Sequence, residues 1–255
     1  MEYSIVIPAY NESDKISSTL TQVVNFMRGF SEKFEVLVVN DGSEDNTSEI
    51  VKKYSSENPE VRLIDNPHKG KGYAVRTGML KAEGDLIYMA DADLAAPIDE
   101  LKKLSVWVKE QNYDIVIASR EGVGAERIGE PFYRHFMGRV FNFFIQLIAL
   151  PGISDTQCGF KLFKKKAAKD IFSRLRIYGE ESREISGAYL GAWDVEVLYL
   201  AKKMGYTIRQ IPVTWTFVKT TRLSPVKDSF KMLRDVIKIR INDLKGKYST
   251  AEKTS

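Results

Sequence analysis

The sequence is poor in cysteine, carries little net charge and contains no long hydrophobic run. Its 255 residues include one cysteine, Cys158, which excludes an internal disulfide and a multi-cysteine metal site and is typical of a reducing compartment. No stretch reaches the roughly 18 apolar residues that cross a bilayer, and the residues before the first apolar run lead us to expect no cleavable leader. We therefore expect a cytoplasmic protein, or one bound peripherally to the cytosolic face of a membrane.

The charges of the chain nearly cancel. Its 38 lysine and arginine residues and 34 aspartate and glutamate residues leave a formal net charge of +4. Such a small charge does not indicate nucleic-acid binding, and the basic strip near the C-terminus has no recognised binding motif, so we expect no nucleic-acid partner. The hydrophobic fraction of 44% is ordinary for a globular protein, and the length fits one large domain with a modest extension.

Strand and helix patterns alternate through the first half of the chain. Short apolar runs predict strands at 4–8, 35–39, 61–64, 85–90 and 114–118. Helical patterns lie between them, at 12–28 and 45–54, in a segment that follows the glycine-rich stretch 67–72 and ends at 80, and at 97–109. This alternation predicts a Rossmann-like α/β fold, in which helices flank a mostly parallel sheet.

The pattern changes after Arg120. An apolar helix is predicted at 132–150, a second helix at 193–204, a strand at 207–213 and a cationic amphipathic helix at 225–244. We expect one main domain over 1–218, a C-terminal amphipathic helix within 219–244 and a disordered tail over 245–255.

Polar residues follow three of the predicted strands. Tyr10 and Glu12 follow the first strand, Asp41 follows the second, and Asp91 and Asp93 follow the fourth. Ligands bind at the carboxyl ends of the strands in open parallel sheets, so we expect these residues to line one site.

Asp91 and Asp93 place two carboxylates close together at that edge. Like charges this close repel each other unless a cation lies between them. Mg²⁺ or Mn²⁺ bound through one or two carboxylates and substrate phosphates is the usual solution, and such an ion neutralises the leaving diphosphate of a nucleotide sugar. The alternative is a simple turn in which Asp93 caps the next helix.

Two glycine-containing turns are further candidates. Asp41 can accept a hydrogen bond from a nucleobase while Gly42 lets the backbone approach closely, although Asp41-Gly42-Ser43 also suits an ordinary tight turn. Lys69 and Gly70 open the stretch KGKG at 69–72. This stretch could cradle phosphates or a base edge, or could be a common surface loop.

Four of these stretches together resemble glycosyltransferase family 2, the inverting A-type class: IVIPAYNE at 5–12, VVNDGS at 38–43, KGKG at 69–72 and DAD at 91–93. SDTQCGFKLF at 154–163 and WDVEVL at 193–198 are similar to its dolichyl-phosphate glucose synthase branch, a sister of the dolichyl-phosphate mannose synthases. The resemblance implies metal-dependent hexosyl transfer from UDP-glucose to a polyprenyl (dolichyl) phosphate. GDP-mannose as the donor and a non-catalytic membrane-surface module on a degenerate transferase fold are the alternatives.

The resemblance also implies roles for individual residues. The donor side would comprise the nucleoside pocket, the base contact, the nucleotide-sugar loop and the metal and diphosphate ligands, namely Pro8, Tyr10, Glu12, Asp41, Lys69, Gly70, Asp91, Ala92 and Asp93. Asp93 and Asp194 would be the catalytic carboxylates, although Asp194 also suits a helix cap. Ala95 departs from the mannose synthase branch, which has a metal-binding glutamine at this position.

The acceptor side is predicted from arginines, which bind phosphate in a forked geometry. Arg120 and Arg134 match the arginines that the family uses for the acceptor phosphate, and Arg139 and Arg127 lie nearby as weaker candidates or surface charges. The part of the helix at 132–150 that is apolar nearly all round, 140–150, is too short to span a bilayer, so it is either buried in the protein or lies at a lipid surface. The basic residues of the C-terminal helix favour a membrane surface with anionic headgroups.

Overall fold

A computed structural model describes residues 1–187, 189, 191–218 and 225–249 of the chain. Its strands are β1 (Tyr3–Ala9), β2 (Phe34–Asn40), β3 (Val61–Asp65), β4 (Leu86–Met89), β5 (Ile115–Ser119), β6 (Glu126–Ile128), β7 (Lys161–Lys164), β8 (Ile208–Pro212) and β9 (Thr214–Thr216). Its helices are α1 (Ile16–Phe30), α2 (Thr47–Glu57), α3 (Lys71–Lys81), α4 (Leu101–Lys109), α5 (Phe132–Ile148), α6 (Lys165–Ser173), α7 (Trp193–Lys203) and α8 (Pro225–Leu244), with a 3₁₀ turn at Ile98–Glu100.

The central sheet has the strand order β3-β2-β1-β4-β7-β5-β8. Neighbouring strands run parallel except at β7, which is antiparallel to both β4 and β5. β6 and β9 pair in a separate two-stranded sheet. The prediction of a mostly parallel α/β sheet is confirmed, whereas β6, β7, β9 and α6 were not predicted.

Helices cover both faces of the sheet because successive side chains of a buried strand point in opposite directions. On β1, Ile5 and Ile7 pack with α1, while Val6 packs on the other face with Val75 and Met79 of α3. Helix α3 lies very close to the sheet, since a Cβ at its Gly78 would be 2.3 Å from Val6 Cγ1. Full burial of each such aliphatic side chain contributes about 1.5–3 kcal/mol to folding.

Helices α5 and α8 pack against each other and leave large apolar side chains in solvent. Complete burial of α5 in the protein, one of the two sequence-based alternatives, is therefore wrong. Its exposed apolar side chains are Phe132, Tyr133, Phe136, Val140, Phe143, Phe144 and Leu147. Within the described ranges, no helix is both long and apolar enough to cross a membrane.

The end of the chain corrects one prediction. Residues 245–249, expected to be disordered, continue from α8 as a turn, and Tyr248 is buried and donates a hydrogen bond to Glu196 at 2.5 Å. The buried hydroxyl has a carboxylate partner, which explains why the turn is ordered. The remaining predicted tail, 250–255, and the predicted segment 219–224 lie outside the described residues.

Candidate active site

A cavity of about 290 Å³ opens at the carboxyl ends of β1, β2 and β4. Most of the residues predicted from the strand ends and from the arginines line it, namely Pro8, Tyr10, Glu12, Asp41, Asp91, Ala92, Asp93, Arg120 and Arg134. They come from segments far apart in the chain, and the parallel strands bring them to one edge of the sheet.

The acidic end of the cavity is formed by Asp91 and Asp93, just after β4. Lys71, in the first turn of α3, places its Nζ 2.5 Å from Asp91 Oδ1. Asp93 Oδ1 accepts a hydrogen bond from the N–H of Ala95 at 3.1 Å, which forms a local turn and caps no helix. Desolvation within the cavity and the nearby Asp91 carboxylate raise the pKa of Asp93. Negative charge is thus concentrated here, and Lys71 offsets only part of it.

Gly159 lies against this pair. A Cβ at this position would be 1.9 Å from Asp91 Oδ2, closer than any side chain can approach. Gly159 belongs to the stretch that precedes β7, so the antiparallel strand brings it beside the end of β4. A glycine is therefore required for Asp91 to keep its position.

The wall of the cavity also carries an aromatic pair. The rings of Tyr10 and His68 are stacked, with centroids 4.0 Å apart and an interplanar angle of 4°. His68 Nδ1 is 2.9 Å from Asp41 Oδ2, which fixes the ring. The close approach depends on Gly42, which has φ +70° and where a Cβ would be 2.9 Å from the backbone nitrogen of His68. The tight turn at Asp41-Gly42-Ser43 is therefore compatible with a contact between Asp41 and a nucleobase.

The Asp41 carboxylate holds the loop that follows β3. It accepts hydrogen bonds from the N–H groups of Lys69 at 3.0 Å and Gly70 at 3.0 Å, and burial raises its pKa. The Lys69 ammonium group donates to the carbonyl oxygen of Glu180 at 3.2 Å. Neither Lys69 nor Gly70 lines the cavity, and their N–H groups are bonded to Asp41, so the expected contact of these two residues with a nucleotide sugar stays a prediction. Lys71 faces the cavity instead.

Arg120 also lines the cavity and directly follows β5. Its guanidinium group makes a forked pair with Asp155, at 2.8 Å from Nε and 2.9 Å from Nη2. The pair raises the pKa of Arg120 and lowers that of Asp155 despite their burial. The guanidinium also lies 5.2 Å from the ring centroid of Trp215. Arg120 is therefore held rigidly, although part of its hydrogen-bonding capacity is occupied.

The other predicted arginines surround it. Arg134 lies over Phe217 at 4.8 Å and reaches the main cavity. Arg139 Nη1 is 3.4 Å from Glu121 and lines a smaller cavity of about 120 Å³, which shares Arg120 and Arg134 with the main one. Arg127 is paired with Glu121 and Glu130. Arg139 is thus adjacent to the main cavity but does not line it.

Asp194 occupies the second position of α7 and is not among the residues that line the cavity. It is buried, and its carboxylate accepts a hydrogen bond from the N–H of Val195 at 2.9 Å. Burial raises the pKa of Asp194 to about 6, and the attraction of Lys161 limits the rise. Lys161 is itself fully buried and donates to the carbonyl oxygen of Cys158. The predicted catalytic carboxylate therefore does not line the cavity.

Sequence reasoning missed several residues that shape the site. His68, Lys71, Gln157, Gly159, Tyr189 and Trp215 all line the cavity. Lys71 and Gly159 lie inside stretches that the sequence singled out, but nothing local showed that they meet Asp91. The signal for His68 was its position directly before the KGKG stretch.

Comparison with known proteins places the chain in a family. The family model for glycosyl transferase family 2 matches residues 4–172. A dolichyl-phosphate beta-glucosyltransferase of Trichomonas vaginalis is 35% identical, over 98% of this chain and 74% of the relative. The dolichyl-phosphate beta-glucosyltransferase of Homo sapiens is 31% identical, over 97% of this chain and 77% of the relative.

A solved structure shares the fold. Glucosyl-3-phosphoglycerate synthase from Mycobacterium tuberculosis, crystallised with Mn²⁺, UDP-glucose and phosphoglyceric acid, matches with a TM-score of 0.66 at 16% identity, over 99% of this chain and 81% of that one. The predicted A-type fold is confirmed. Taken with the family model and the relatives, these findings show that the chain belongs to glycosyltransferase family 2.

Proposed function

We propose that the chain transfers glucose, with inversion, from UDP-glucose to the phosphate group of a polyprenyl lipid such as dolichyl phosphate. One arrangement carries the proposal: Asp91, Asp93 and Lys71 open into the same cavity as Arg120 and Arg134. A diphosphate leaving group and a phosphate acceptor would therefore each have charged partners within one site. The relatives named dolichyl-phosphate beta-glucosyltransferase supply the class of sugar and lipid.

The donor would lie along the ends of β1, β2 and β4. The Tyr10–His68 pair offers an aromatic surface to the uracil ring, and Asp41 is the candidate acceptor for a base N–H. Pro8 and Glu12 line the same cavity. The diphosphate would meet the ammonium group of Lys71.

The acidic pair fits a divalent cation. Asp91 and Asp93 offer the hard carboxylate oxygens that Mg²⁺ and Mn²⁺ prefer. Desolvation, and after it the charge of Asp91, raises the pKa of Asp93, and a bound cation would oppose both effects. Across the described part of the chain, no group of three or more His, Cys, Asp or Glu side chains is arranged to hold a metal. The donor diphosphate and water would therefore complete the ligand set. The cation would supply charge neutralisation for the departing diphosphate.

The reaction needs little proton transfer. An oxygen of the acceptor phosphate is already anionic, so it can form the new bond to the anomeric carbon without a general base. The bond from that carbon to the diphosphate breaks, and its electron pair leaves with UDP. Arg120 and Arg134 would orient the acceptor phosphate, and the Asp155 pair keeps Arg120 in place for this.

A lipid acceptor requires access from a membrane surface, and we assign that contact to α5 and α8. Phe143 and Leu147 of α5 are 61% and 72% exposed, and Leu244 of α8 is 81% exposed. Lys231 and Arg234 are exposed on α8 and offer positive charge to anionic headgroups. Association with the cytosolic face of a membrane, by these helices, is part of the proposal.

The test is transfer with purified protein, dolichyl phosphate in detergent and either UDP-glucose or GDP-mannose, each with Mg²⁺ or Mn²⁺. We expect a lipid-linked hexose from UDP-glucose, detected by mass spectrometry of the extracted lipid. Product from GDP-mannose alone would show that the donor assignment is wrong. Absence of a lipid-linked product from both donors would refute the lipid acceptor, and nucleotide-sugar binding measured by calorimetry would then separate another transfer reaction from a non-catalytic module.

A further inference from the structure

A buried carboxylate on α8 is shared by two tyrosines. The hydroxyl group of Tyr178 donates to Asp235 Oδ2 at 2.7 Å, and the hydroxyl group of Tyr189 donates to the same oxygen. Asp235 is 3% exposed, and the guanidinium of Arg234 approaches its other oxygen no closer than 3.8 Å. Since burial of a carboxylate is costly without hydrogen bonds, the two hydroxyl groups stabilise Asp235 in this position.

Tyr189 connects this carboxylate to the active site. It lines the cavity that holds Asp91 and Asp93. Residues 185–187, which precede Tyr189, contact His68 of the Tyr10–His68 pair, the proposed nucleotide end of the cavity. The N–H of Ile185 donates to the carbonyl oxygen of His68 at 3.0 Å, and His68 Nε2 is 3.1 Å from the carbonyl oxygen of Gly187. The position of Tyr189 therefore affects the wall of the cavity next to the Tyr10–His68 pair.

The second tyrosine holds the other end of the same segment. The hydroxyl oxygen of Tyr178 accepts a hydrogen bond from the N–H of Ala192 at 2.6 Å, directly before α7. The contact needs a glycine next to it, because a Cβ at Gly191 would be 2.4 Å from that oxygen. One carboxylate of α8 thus holds the residues on both sides of the turn into α7.

Helix α8 presents different side chains to the site and to solvent. Met232, Asp235, Val236 and Ile239 are buried, at the spacing of one helical face. Met232 Sδ lies 3.8 Å from Nε2 of Gln157, another residue of the cavity wall. The buried face of α8 therefore contacts two residues of the cavity wall, Tyr189 and Gln157.

We propose that Asp235 is a positioning residue for the transfer reaction, which holds Tyr189 against the nucleotide end of the cavity and so lets α8 shape the donor site. The inference rests on the proposed function in one respect, the identity of the donor as UDP-glucose. Asp235 does not line the cavity and acts only through Tyr189 and the turn before α7.

The test compares Asp235→Leu, Asp235→Asn and Tyr189→Phe by calorimetric binding of UDP-glucose and by KM and kcat. We expect Asp235→Leu to weaken UDP-glucose binding about tenfold or more, because both hydroxyl groups lose their acceptor. Asp235→Asn keeps a carbonyl oxygen that can accept both hydrogen bonds, so it should restore most of the affinity. Tyr189→Phe keeps the ring and removes the bond to Asp235, and it carries the test if Asp235→Leu does not fold.

A matched control is available between α7 and α8. The hydroxyl group of Tyr199 donates to Asp243 at 2.5 Å, and neither residue lines the cavity. Tyr199→Phe should lower Tm and leave the affinity for UDP-glucose unchanged. Equal loss of affinity in Tyr199→Phe, or unchanged affinity in both Tyr189→Phe and Asp235→Leu, would overturn the inference and leave the proposed function intact. A parent protein that binds no UDP-glucose would refute the donor assignment and this inference together.

Discussion

The ammonium nitrogen of Lys71 lies 2.5 Å from a carboxylate oxygen of Asp91. Burial alone would lower the pKa of Lys71, but the attraction of Asp91 outweighs it and the pKa is raised, so the lysine stays charged. The proposed cation and Lys71 therefore compete for the same carboxylate. The ion pair also prepares a positive charge for an incoming diphosphate.

Replacement of Lys71 separates its competition with the cation for Asp91 from its contact with the diphosphate. In Lys71→Met, we expect Mn²⁺ to bind more tightly in the absence of nucleotide, since Asp91 no longer has to leave an ion pair. We expect kcat/KM for UDP-glucose to fall roughly 10–100-fold, the loss of one charged hydrogen bond. Electron paramagnetic resonance measures free Mn²⁺, and steady-state kinetics measures the transfer. Weaker Mn²⁺ binding in the variant would contradict the competition.

The acidic pair is tested by Asp93→Asn, which keeps the shape of the side chain and removes its charge. We expect the transfer rate to fall roughly a hundredfold or more, because charge neutralisation at the leaving group is worth several kcal/mol. Asp99→Asn is the matched control, since Asp99 is an exposed acid in the following 3₁₀ turn, outside the cavity. Equal activity of the two variants, at saturating metal, would rule out the assigned role.

Gly159 offers a steric test of the same site. In Gly159→Ala, the new methyl group would overlap the Asp91 carboxylate, so Asp91 has to move. We expect a fall in kcat of roughly tenfold to a hundredfold, with metal affinity reduced as well. Gly29→Ala provides the control, because no atom lies within 4 Å of a Cβ at that position. Full activity of Gly159→Ala would mean that the position of Asp91 is unimportant for transfer.

Asp194 should make stability depend on pH. Its pKa is about 6 in the folded protein and about 3.9 in an unfolded chain, so the folded state binds more protons between these values. The free energy of unfolding should therefore fall as the pH rises from about 4 to 6. Asp194→Asn removes this titration, and we expect it to exceed the parent in stability at pH 8 by roughly 1–3 kcal/mol.

Denaturant unfolding of the parent and Asp194→Asn at about pH 4.5 and about pH 8, on either side of the folded pKa, measures this difference. The same titration predicts kcat. The family resemblance implies a role for the Asp194 carboxylate in transfer although it does not line the cavity, so we expect kcat of the parent to fall as the pH drops below about 6, where the carboxylate becomes protonated. Asp194→Asn should have a lower kcat than the parent, and its kcat should not show this fall at low pH. An unchanged kcat in the variant would exclude a role for Asp194 in transfer.

The exposed apolar side chains of α5 predict membrane binding. The double variant Phe143→Asp, Leu147→Asp should bind vesicles of phosphatidylcholine and phosphatidylserine at least roughly tenfold less tightly, because burial of each side chain contributes about 1.5–3 kcal/mol. Sedimentation with vesicles measures the bound fraction. Val106→Asp on α4 is the control, since Val106 is 44% exposed on another helix. Equal sedimentation of all three proteins would show that α5 does not contact the lipid.

Local sequence patterns predicted most of the fold. The apolar runs of β1, β2 and β4 are buried along their whole length, so their hydrophobicity is visible without knowledge of their neighbours. β7 escaped prediction because it is four residues long and carries lysine at both ends, one of which, Lys161, is fully buried. Its pairing with β4 and β5 depends on contacts distant in sequence, and no local pattern reports those.

In the candidate site too, some features follow from the sequence and others only from the tertiary structure. The sequence by itself determined that Tyr10, Asp41, Asp91 and Asp93 follow strands, and the geometry of parallel sheets then brings them to one edge. Only the tertiary structure decided their partners, because each partner arrives on another element. Lys71 comes to Asp91 on α3, and Asp235 comes to Tyr189 on α8. Such contacts depend on how helices pack against the sheet, which residue spacing along the chain does not specify.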